Sequence, residues 1–133
     1  MDKKKLVSIV MPVFNEDKGL DIFYHQLKNV INKLVYDFEL IFVNDGSVDT
    51  SLGKLIALHR NDNRIKIIDL SRNFGHQNAL TAGIDQAKGE AVILLDVDLE
   101  DNPEYIPDFI NYWNQGYQVA YAKRGGRKAS ITR

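Results

Sequence analysis

Glu90-Ala91-Val92-Ile93-Leu94-Leu95-Asp96-Val97-Asp98-Leu99-Glu100-Asp101 is a segment in which an apolar run leads directly into a cluster of carboxylates. The five apolar residues after Glu90 predict a strand buried on both faces, which is typical of a parallel sheet. Four carboxylates follow within six positions, so the strand ends at an exposed edge rather than in a core. Because side chains alternate along a strand, Asp96, Asp98 and Glu100 are expected to project to one side.

These carboxylates indicate a metal site. Oxygen ligands suit a hard divalent cation such as Mg²⁺ or Mn²⁺, which commonly bridges a few carboxylates to substrate phosphates. The alternative is an acidic turn in which Asp101 or Asn102 caps a helix with Pro103 in its first turn. The turn explains Asp101 and leaves Asp96 and Asp98 unexplained, so we favour the metal site, although Asp-x-Asp alone is common by chance.

The composition is that of one globular domain. The chain has 133 residues, 44% of them hydrophobic, and a net charge of −1, which indicates neither a nucleic acid nor a membrane as partner. It has no cysteine, so disulfides and thiolate zinc sites are excluded and a reducing cytoplasm fits. The apolar run Leu6–Met11 is too short for a signal peptide or a membrane span. Residues 116–133 contain five cationic residues and no acid, a pattern that attracts anionic ligands.

Apolar runs and helical spacings alternate along the chain. Apolar residues at spacings of three and four predict a helix after the first strand; they are Leu20, Phe23, Leu27, Val30, Ile31 and Leu34. A helix capped by Asp49 or Ser47 is expected after the second strand, and one from about His76 to Lys88 after the third, with Gly89 as a left-handed cap. Pro103 is expected to open the last helix and Gly116 to close it. The predicted strands are Leu6–Met11, Phe38–Val43, Ile65–Leu70, Ala91–Leu95 and Gln118–Ala122.

This alternation predicts an α/β fold, a mostly parallel sheet with helices on both faces. In such sheets, ligands bind beyond the carboxyl ends of the strands, where the strand order reverses. The loops expected at that edge are Pro12–Glu16, Asn44–Ser47, Ser71–Gly75, Asp96–Asp101 and Lys123–Arg127.

Several residues in these loops have two readings. Asp45 either belongs to a tight turn or accepts a hydrogen bond from a ribose or base, and Phe14 beside Glu16 is either a helix staple or a shelf for a nucleobase. Arg72 lies near a helix amino terminus, where it either holds a phosphate or forms a surface salt bridge. Arg124 and Arg127 follow the fifth strand at the same edge as the acidic stretch.

Other chemistries find no support. No chemistry is assigned to His25, His59 or His76, which are interpreted as surface residues. Ser47 and Ser71 lack a histidine and an aspartate at triad spacing, and neither G-x-G-x-x-G nor G-x-x-x-x-G-K-[ST] occurs. A receiver-type signalling domain would need an acid pair after the first strand, where Phe14-Asn15-Glu16 stands.

Four segments, in their order and spacing, resemble a known family. They are Val7–Glu16, Val43–Asp49, Leu70–Gly75 and Leu95–Asp101. Together they resemble family-two inverting glycosyltransferases of the GT-A fold, and within it the polyprenyl-phosphate glycosyltransferases. The resemblance covers essentially all 133 residues.

The resemblance implies roles for individual residues. Asp96 and Asp98 would bind Mg²⁺ or Mn²⁺, with Glu100 beside the metal where the family often has Gln. Asn44 stands where many members have Asp. Asp98 and Arg124 would act on the donor diphosphate, and Arg72 and Arg127 would face the acceptor phosphate. The residues implied to hold the sugar nucleotide are Pro12, Phe14, Glu16, Val43, Asp45, Asp96, Val97 and Arg124.

The activity expected from the resemblance is metal-dependent transfer of a sugar from a nucleoside-diphosphate sugar to a polyprenyl-phosphate or glycan acceptor. Residues 1–133 would be the N-terminal, nucleotide-sugar-binding part of a longer GT-A protein. That protein would be cytoplasmic, at the cytoplasmic face of the membrane, with membrane contacts made by the missing C-terminal region. The alternative is a domain that binds the sugar nucleotide without transferring the sugar.

Overall fold

The computed structural model describes residues 4–97, 103–116, 119–122 and 129–132. In this part of the chain, the strands form one six-stranded sheet. The strands are β1 (Leu6–Val13), β2 (Asp37–Asn44), β3 (Ile65–Asp69), β4 (Ala91–Leu94), β5 (Val119–Ala122) and β6 (Ala129–Thr132). Their order is β3-β2-β1-β4-β5-β6; the first five are parallel and β6 is antiparallel to β5.

Helices cover both faces of the sheet, as predicted. They are α1 (Leu20–Ile31), α2 (Ser51–Asn61), α3 (His76–Gln86) and α4 (Ile106–Asn114), the last preceded by a 3₁₀ turn at Pro103–Tyr105. One face of β1 and β2 packs against α1, α2 and α4, where Phe23, Phe42 and Phe109 are fully buried. The opposite face packs against α3 through a smaller cluster around Val10 and Ala79. The predicted α/β architecture is therefore confirmed.

The strand ends differ slightly from the prediction. β1 continues through Pro12 to Val13, with Pro12 in register with Val43, although proline was expected to end the strand. The strand persists because the backbone N–H of Asp45 donates to the carbonyl of Val13, 2.8 Å away, beyond the proline. β3 and β4 each end one residue early. β6 was not predicted, since its four residues Ala129–Thr132 carry only one large apolar side chain.

Two glycines were predicted to end helices, and the structure gives them different roles. Gly116, which was predicted to close the last helix, follows α4 and adopts φ +105°. The prediction for Gly89 was wrong: α3 ends at Gln86, and Gly89 is not among the positive-φ residues. A side chain at Gly89 would meet Ser8, with its Cβ 2.5 Å from the Ser8 Oγ. Glycine is needed there for close approach to β1 rather than for a left-handed turn.

Two buried polar clusters lie away from the carboxyl edge of the sheet. Towards its amino end, the Glu39 carboxylate accepts hydrogen bonds from the Ser8 hydroxyl, the Lys66 ammonium and the backbone N–H of Lys88. Burial works to raise the pKa of Glu39, but these hydrogen bonds outweigh it and lower the pKa.

The second cluster joins α1 to the start of β3. The Arg64 guanidinium donates to both oxygens of Asp62 at 2.9 Å, and the Tyr24 hydroxyl donates to Asp62 at 2.6 Å. The hydrogen bonds from Arg64 hold the pKa of Asp62 at about 2. Burial, together with the hydrogen bond to Asp62, raises the pKa of Tyr24 to about 12.

The strand order reverses between β1 and β4. From β1 the chain adds β2 and β3 on one side, and β4 and β5 lie on the other. The carboxyl ends of β1 and β4 therefore meet in the middle of the sheet, which is where a ligand is expected. Among the described residues, no helix combines the length and the hydropathy that crossing a membrane requires.

Candidate functional site

A cavity of about 260 Å³ opens at the carboxyl edge, where the strand order reverses. It collects residues from the ends of β1 and β4 and from the loops after β2 and β3. Its lining residues are Pro12, Val13, Phe14, Glu16, Asp45, Asn73, Gly75, His76, Asp96 and Val97. The loops after β1, β2 and β3 therefore all contribute to the cavity, together with Asp96 and Val97 after β4.

The loop after β1 is clamped to the start of α2. Asn15 adopts a left-handed conformation, φ 54°, which asparagine tolerates better than most residues. Its backbone N–H donates to the Ser47 Oγ at 2.9 Å, and its side-chain oxygen accepts from the Val48 N–H at 2.8 Å. The backbone N–H of Glu16 donates to the Ser51 Oγ at 2.9 Å. These bonds fix the backbone that carries Phe14 and Glu16 to the cavity.

Neither predicted cap stands at the N-cap of α2, which is Thr50. The Asp49 Oδ1 accepts from the Ser51 N–H at 2.9 Å, so Asp49 satisfies a donor of the first turn. Ser47 instead holds the β1 loop. Burial works to raise the pKa of Asp49, and hydrogen bonds from Ser51 and Asp17 more than offset it, so the pKa is lowered.

Asp45 connects the loops after β2 and β3. It is 3% exposed and lines the cavity, and its Oδ1 accepts from the Phe74 N–H at 2.7 Å. The Asn73 amide donates to the Asp45 carbonyl at 3.2 Å. Gly46 adopts φ +73°, and a Cβ there would clash with the backbone of Asn73. The two loops therefore form one tightly packed wall.

Asp96 contacts a histidine in the wall of the cavity. The His76 Nε2 lies 3.4 Å from the Asp96 Oδ1, and the two side chains are 58% and 22% exposed. His76 is an exposed residue in the first turn of α3, as predicted, and it also lines the cavity, which the sequence analysis did not predict. The available signal was its place directly after Gly75, in a loop expected at the same edge as Asp96.

Aromatic side chains form the exposed rim. Phe14 lines the cavity and is 47% exposed, so its ring is open to a ligand. Phe74 is also exposed, and the Arg72 guanidinium stacks on it 4.5 Å from the ring centroid. Neither Arg72 nor Phe74 lines the cavity, but both adjoin Asn73, which does, and this flanking position is called the rim of the cavity.

The cavity brings together six of the residues predicted to bind the sugar nucleotide. Val43 is not among the lining residues, because its side chain is buried with Val10 and Ala79 beneath α3. Asn44 does not line the cavity either; its amide donates to Asp69 at 3.0 Å. Asp98, Glu100, Arg124 and Arg127 lie outside the described residues. The six that line it are Pro12, Phe14, Glu16, Asp45, Asp96 and Val97.

The chemistry of Asp96 suits a divalent cation. Within the described ranges, no three His, Cys, Asp or Glu side chains are grouped closely enough to form a complete metal site. Mg²⁺ sites that also bind phosphates commonly use only one or two carboxylates, the other ligands being water and phosphate oxygens. A partly exposed carboxylate at the cavity, followed two residues later by Asp98, fits this pattern.

Comparison with known proteins finds a family and relatives. The model of the family described as "Glycosyl transferase family 2" matches residues 8–133. The chain is 50% identical over 121 residues to the uncharacterized glycosyltransferase YkcC of Bacillus subtilis, covering 91% of this chain and 38% of that protein. It is 40% identical over 121 residues to the bactoprenol glucosyl transferase of Shigella phage SfV, covering 91% and 39%. The chain thus spans 38–39% of the length of these relatives.

Solved structures share the fold. S. aureus TarS 1-349 in complex with UDP-GlcNAc superposes with a TM-score of 0.64 at 26% identity, covering 82% of this chain and 31% of that one. Glucosyl-3-phosphoglycerate synthase from Mycobacterium tuberculosis, solved with Mn²⁺ and UDP, gives a TM-score of 0.64 at 20% identity, covering 82% and 39%. The second similarity supports the fold alone, and both structures contain a uracil nucleotide.

Proposed function

Because the chain belongs to glycosyl transferase family 2, we propose that it is the donor-binding part of an enzyme that transfers a hexose from a nucleoside-diphosphate sugar to a polyprenyl phosphate. The observation that carries the proposal is the cavity at the point where the strand order reverses. It brings an exposed aromatic ring and three carboxylates to the place where sheets of this kind bind nucleotides.

The nucleoside would bind against the wall formed by the loops after β1 and β2. Phe14 offers an open aromatic face for a base, which suits stacking because the ring is only half-buried. Glu16 and Asp45 present carboxylates, which accept hydrogen bonds from base N–H groups and ribose hydroxyls. The clamped backbone around Asn15 keeps these groups in place, which lowers the entropic cost of binding.

Asp96 and Asp98 would hold Mg²⁺ or Mn²⁺, with Glu100 close by. A bound cation supplies Lewis-acid stabilisation of the charge on the leaving diphosphate. Arg124 would add a positive charge to the same group. Support comes from the position of Asp96 in the cavity wall, and from the two carboxylates and the basic residue that follow it in the sequence.

A polyprenyl-phosphate acceptor is consistent with the relatives and with the chemistry. One relative is a bactoprenol glucosyl transferase. A phosphate monoester has a second pKa of about 6, so near neutral pH it is already ionised and needs no general base. Arg72 at the rim, stacked on Phe74, and Arg127 would then attract the acceptor phosphate.

Calorimetric titration with nucleoside diphosphates tests donor binding. The wild-type protein should bind one of UDP, GDP, ADP, CDP or dTDP more tightly with Mn²⁺ than with EDTA. Asp96→Asn should weaken Mn²⁺-dependent binding by at least about tenfold, since it removes a charged ligand. Asp85→Asn, an exposed change on α3, is the matched control and should leave binding unchanged. Equal binding by wild type with and without Mn²⁺ would contradict the metal assignment.

Binding without transfer is the second candidate, because the chain spans only 38–39% of the length of its relatives. The two candidates separate when the protein is incubated with Mn²⁺, radiolabelled sugar nucleotides and polyprenyl phosphate in detergent. A labelled lipid product that is absent from the Asp96→Asn reaction supports transfer by this chain. Tight donor binding without any labelled lipid supports a donor-binding domain.

A further inference from the structure

The cavity has a marked imbalance of charge. Three carboxylates, those of Glu16, Asp45 and Asp96, are among its lining residues, and no lysine or arginine from the described ranges lines it. Among the described residues that line the cavity, only His76 has a side chain that can carry a positive charge. A nucleoside diphosphate that enters this cavity brings further negative charge, which the carboxylates repel. Binding the diphosphate therefore requires a donor or cation in addition to the groups that hold the nucleoside.

Most donors around the cavity already have partners. The Asn73 amide donates to the carbonyl of Asp45, and the Phe74 N–H donates to the Asp45 carboxylate. The imidazole of His76 differs, because its contact with Asp96, at 3.4 Å, is longer than an ordinary N–H···O hydrogen bond. Its side chain is more than half exposed, so the contact is weak and easily exchanged for a better one.

We propose that His76 is a donor-binding residue whose imidazole N–H exchanges its contact with Asp96 for a hydrogen bond to the donor's pyrophosphate. The inference rests on the proposed function, in which Asp96 would hold the cation. The neutral imidazole keeps one N–H, so the exchange requires no change of protonation. The first turn of α3 places the His76 imidazole 3.4 Å from Asp96, so a pyrophosphate bound to a cation on Asp96 would lie within reach of the imidazole.

A purely structural role would give different results. If His76 only orients Asp96, removing it weakens binding of the cation itself. If it contacts the nucleoside, removing it weakens binding of the nucleoside without phosphates. A hydrogen bond to the pyrophosphate weakens binding of the diphosphate alone. Three ligands therefore separate the roles: Mn²⁺, the nucleoside and the nucleoside diphosphate.

The experiment compares wild type with His76→Ala, His76→Gln and the control Gln77→Ala by calorimetry. Gln77 is the next residue of the same turn, is exposed and does not line the cavity. His76→Ala should weaken Mn²⁺-dependent binding of the best nucleoside diphosphate by about tenfold or more, the loss expected for a charge-assisted hydrogen bond. Its affinities for Mn²⁺ alone and for the matching nucleoside should stay unchanged. His76→Gln, which keeps an N–H donor, should recover part of the loss, and Gln77→Ala should behave as wild type.

Two results would overturn the proposal. One is equal diphosphate binding by wild type and His76→Ala. The other is a parallel loss of affinity for Mn²⁺ or for the nucleoside, which would give His76 another role. If wild type binds none of the nucleoside diphosphates, the proposed function itself fails, and the inference about His76 fails with it. Circular dichroism and thermal melting of each variant show whether it folds as wild type does.

Discussion

The Asp45 carboxylate accepts a 2.7 Å hydrogen bond from the backbone N–H of Phe74, so one buried side chain both lines the cavity and joins two of its loops. The residue proposed to bind the nucleoside therefore also fixes the wall that surrounds the nucleoside. Binding and stability are coupled at this position, and variants can separate them.

Asp45→Asn and Asp45→Ala should differ in stability more than in binding. Asn keeps an oxygen that accepts from Phe74, whereas Ala leaves the partly buried Phe74 N–H without this acceptor and should lower the free energy of unfolding by about 1–3 kcal/mol. Both should weaken nucleoside diphosphate binding by about tenfold or more, since both remove the carboxylate. Urea unfolding and calorimetry measure the two effects. Wild-type affinity in Asp45→Asn would show that the negative charge has no role in binding.

Gly46 and Gly53 should respond in opposite directions to alanine. At Gly46 the Cβ would lie 2.5 Å from the Arg72 carbonyl carbon, and φ is +73°. Gly46→Ala should therefore cost about 2 kcal/mol or more and displace the loop after β3. Gly53 lies in α2 with nothing within 4 Å of the added Cβ, so Gly53→Ala should stabilise by about 0.5–1 kcal/mol. Thermal melting measures both, and a Gly46→Ala variant as stable as wild type would contradict the packing described.

The apolar patterns of the sequence were sufficient to predict the fold, because burial in the core determines where apolar residues occur. The five predicted strands and four predicted helices all occur. Each of them buries apolar side chains on one or both faces, and this burial produces the apolar pattern from which it was predicted. The Gly89 prediction failed because sequence cannot show that Ser8, 81 residues away, occupies the space beside that glycine. The strand β6 was missed since an antiparallel edge strand of four residues leaves almost no apolar pattern.

The sequence predicted that the site lies at the carboxyl edge of the sheet, but it did not predict the side-chain contacts within the site. Topology alone brought Phe14, Asp45 and Asp96 to one cavity, because loops after parallel strands share one edge. Topology could not show which side a first-turn residue faces, so the exposure of His76 was predicted and its place in the cavity wall was not. Nor could it show that Val43, beside Asn44 in β2, points under α3 instead of towards the cavity.

Asp62 should make stability depend on acid. Its folded pKa of about 2 lies below the ordinary value of 3.8, so its stabilising effect is present above about pH 4 and is lost as the pH falls towards 2. The shift corresponds to about 2 kcal/mol at neutral pH. Asp62→Asn should therefore be less stable than wild type at pH 7, and the gap should narrow below pH 4.

Urea unfolding at pH 7, 5, 4 and 3 measures this gap. Asp85→Asn, which changes an exposed carboxylate on α3, is the control and should stay within about 0.5 kcal/mol of wild type throughout. A gap between Asp62→Asn and wild type that stays the same at every pH would show that the Arg64 pairing does not set the titration of Asp62.

Ser8 should affect stability without affecting ligand binding. Its hydroxyl donates to the Glu39 carboxylate and accepts from the Gly89 N–H at 2.8 Å, and both Ser8 and Glu39 are buried. Ser8→Ala leaves both partners short of a bond and should lower the free energy of unfolding by about 2 kcal/mol. The cluster lies towards the amino end of the sheet, opposite the cavity, so nucleoside diphosphate affinity should equal that of wild type. The exposed Ser71→Ala is the control for stability, and a Ser8→Ala variant that folds normally but binds the diphosphate tenfold less well would refute the separation of the two ends of the sheet.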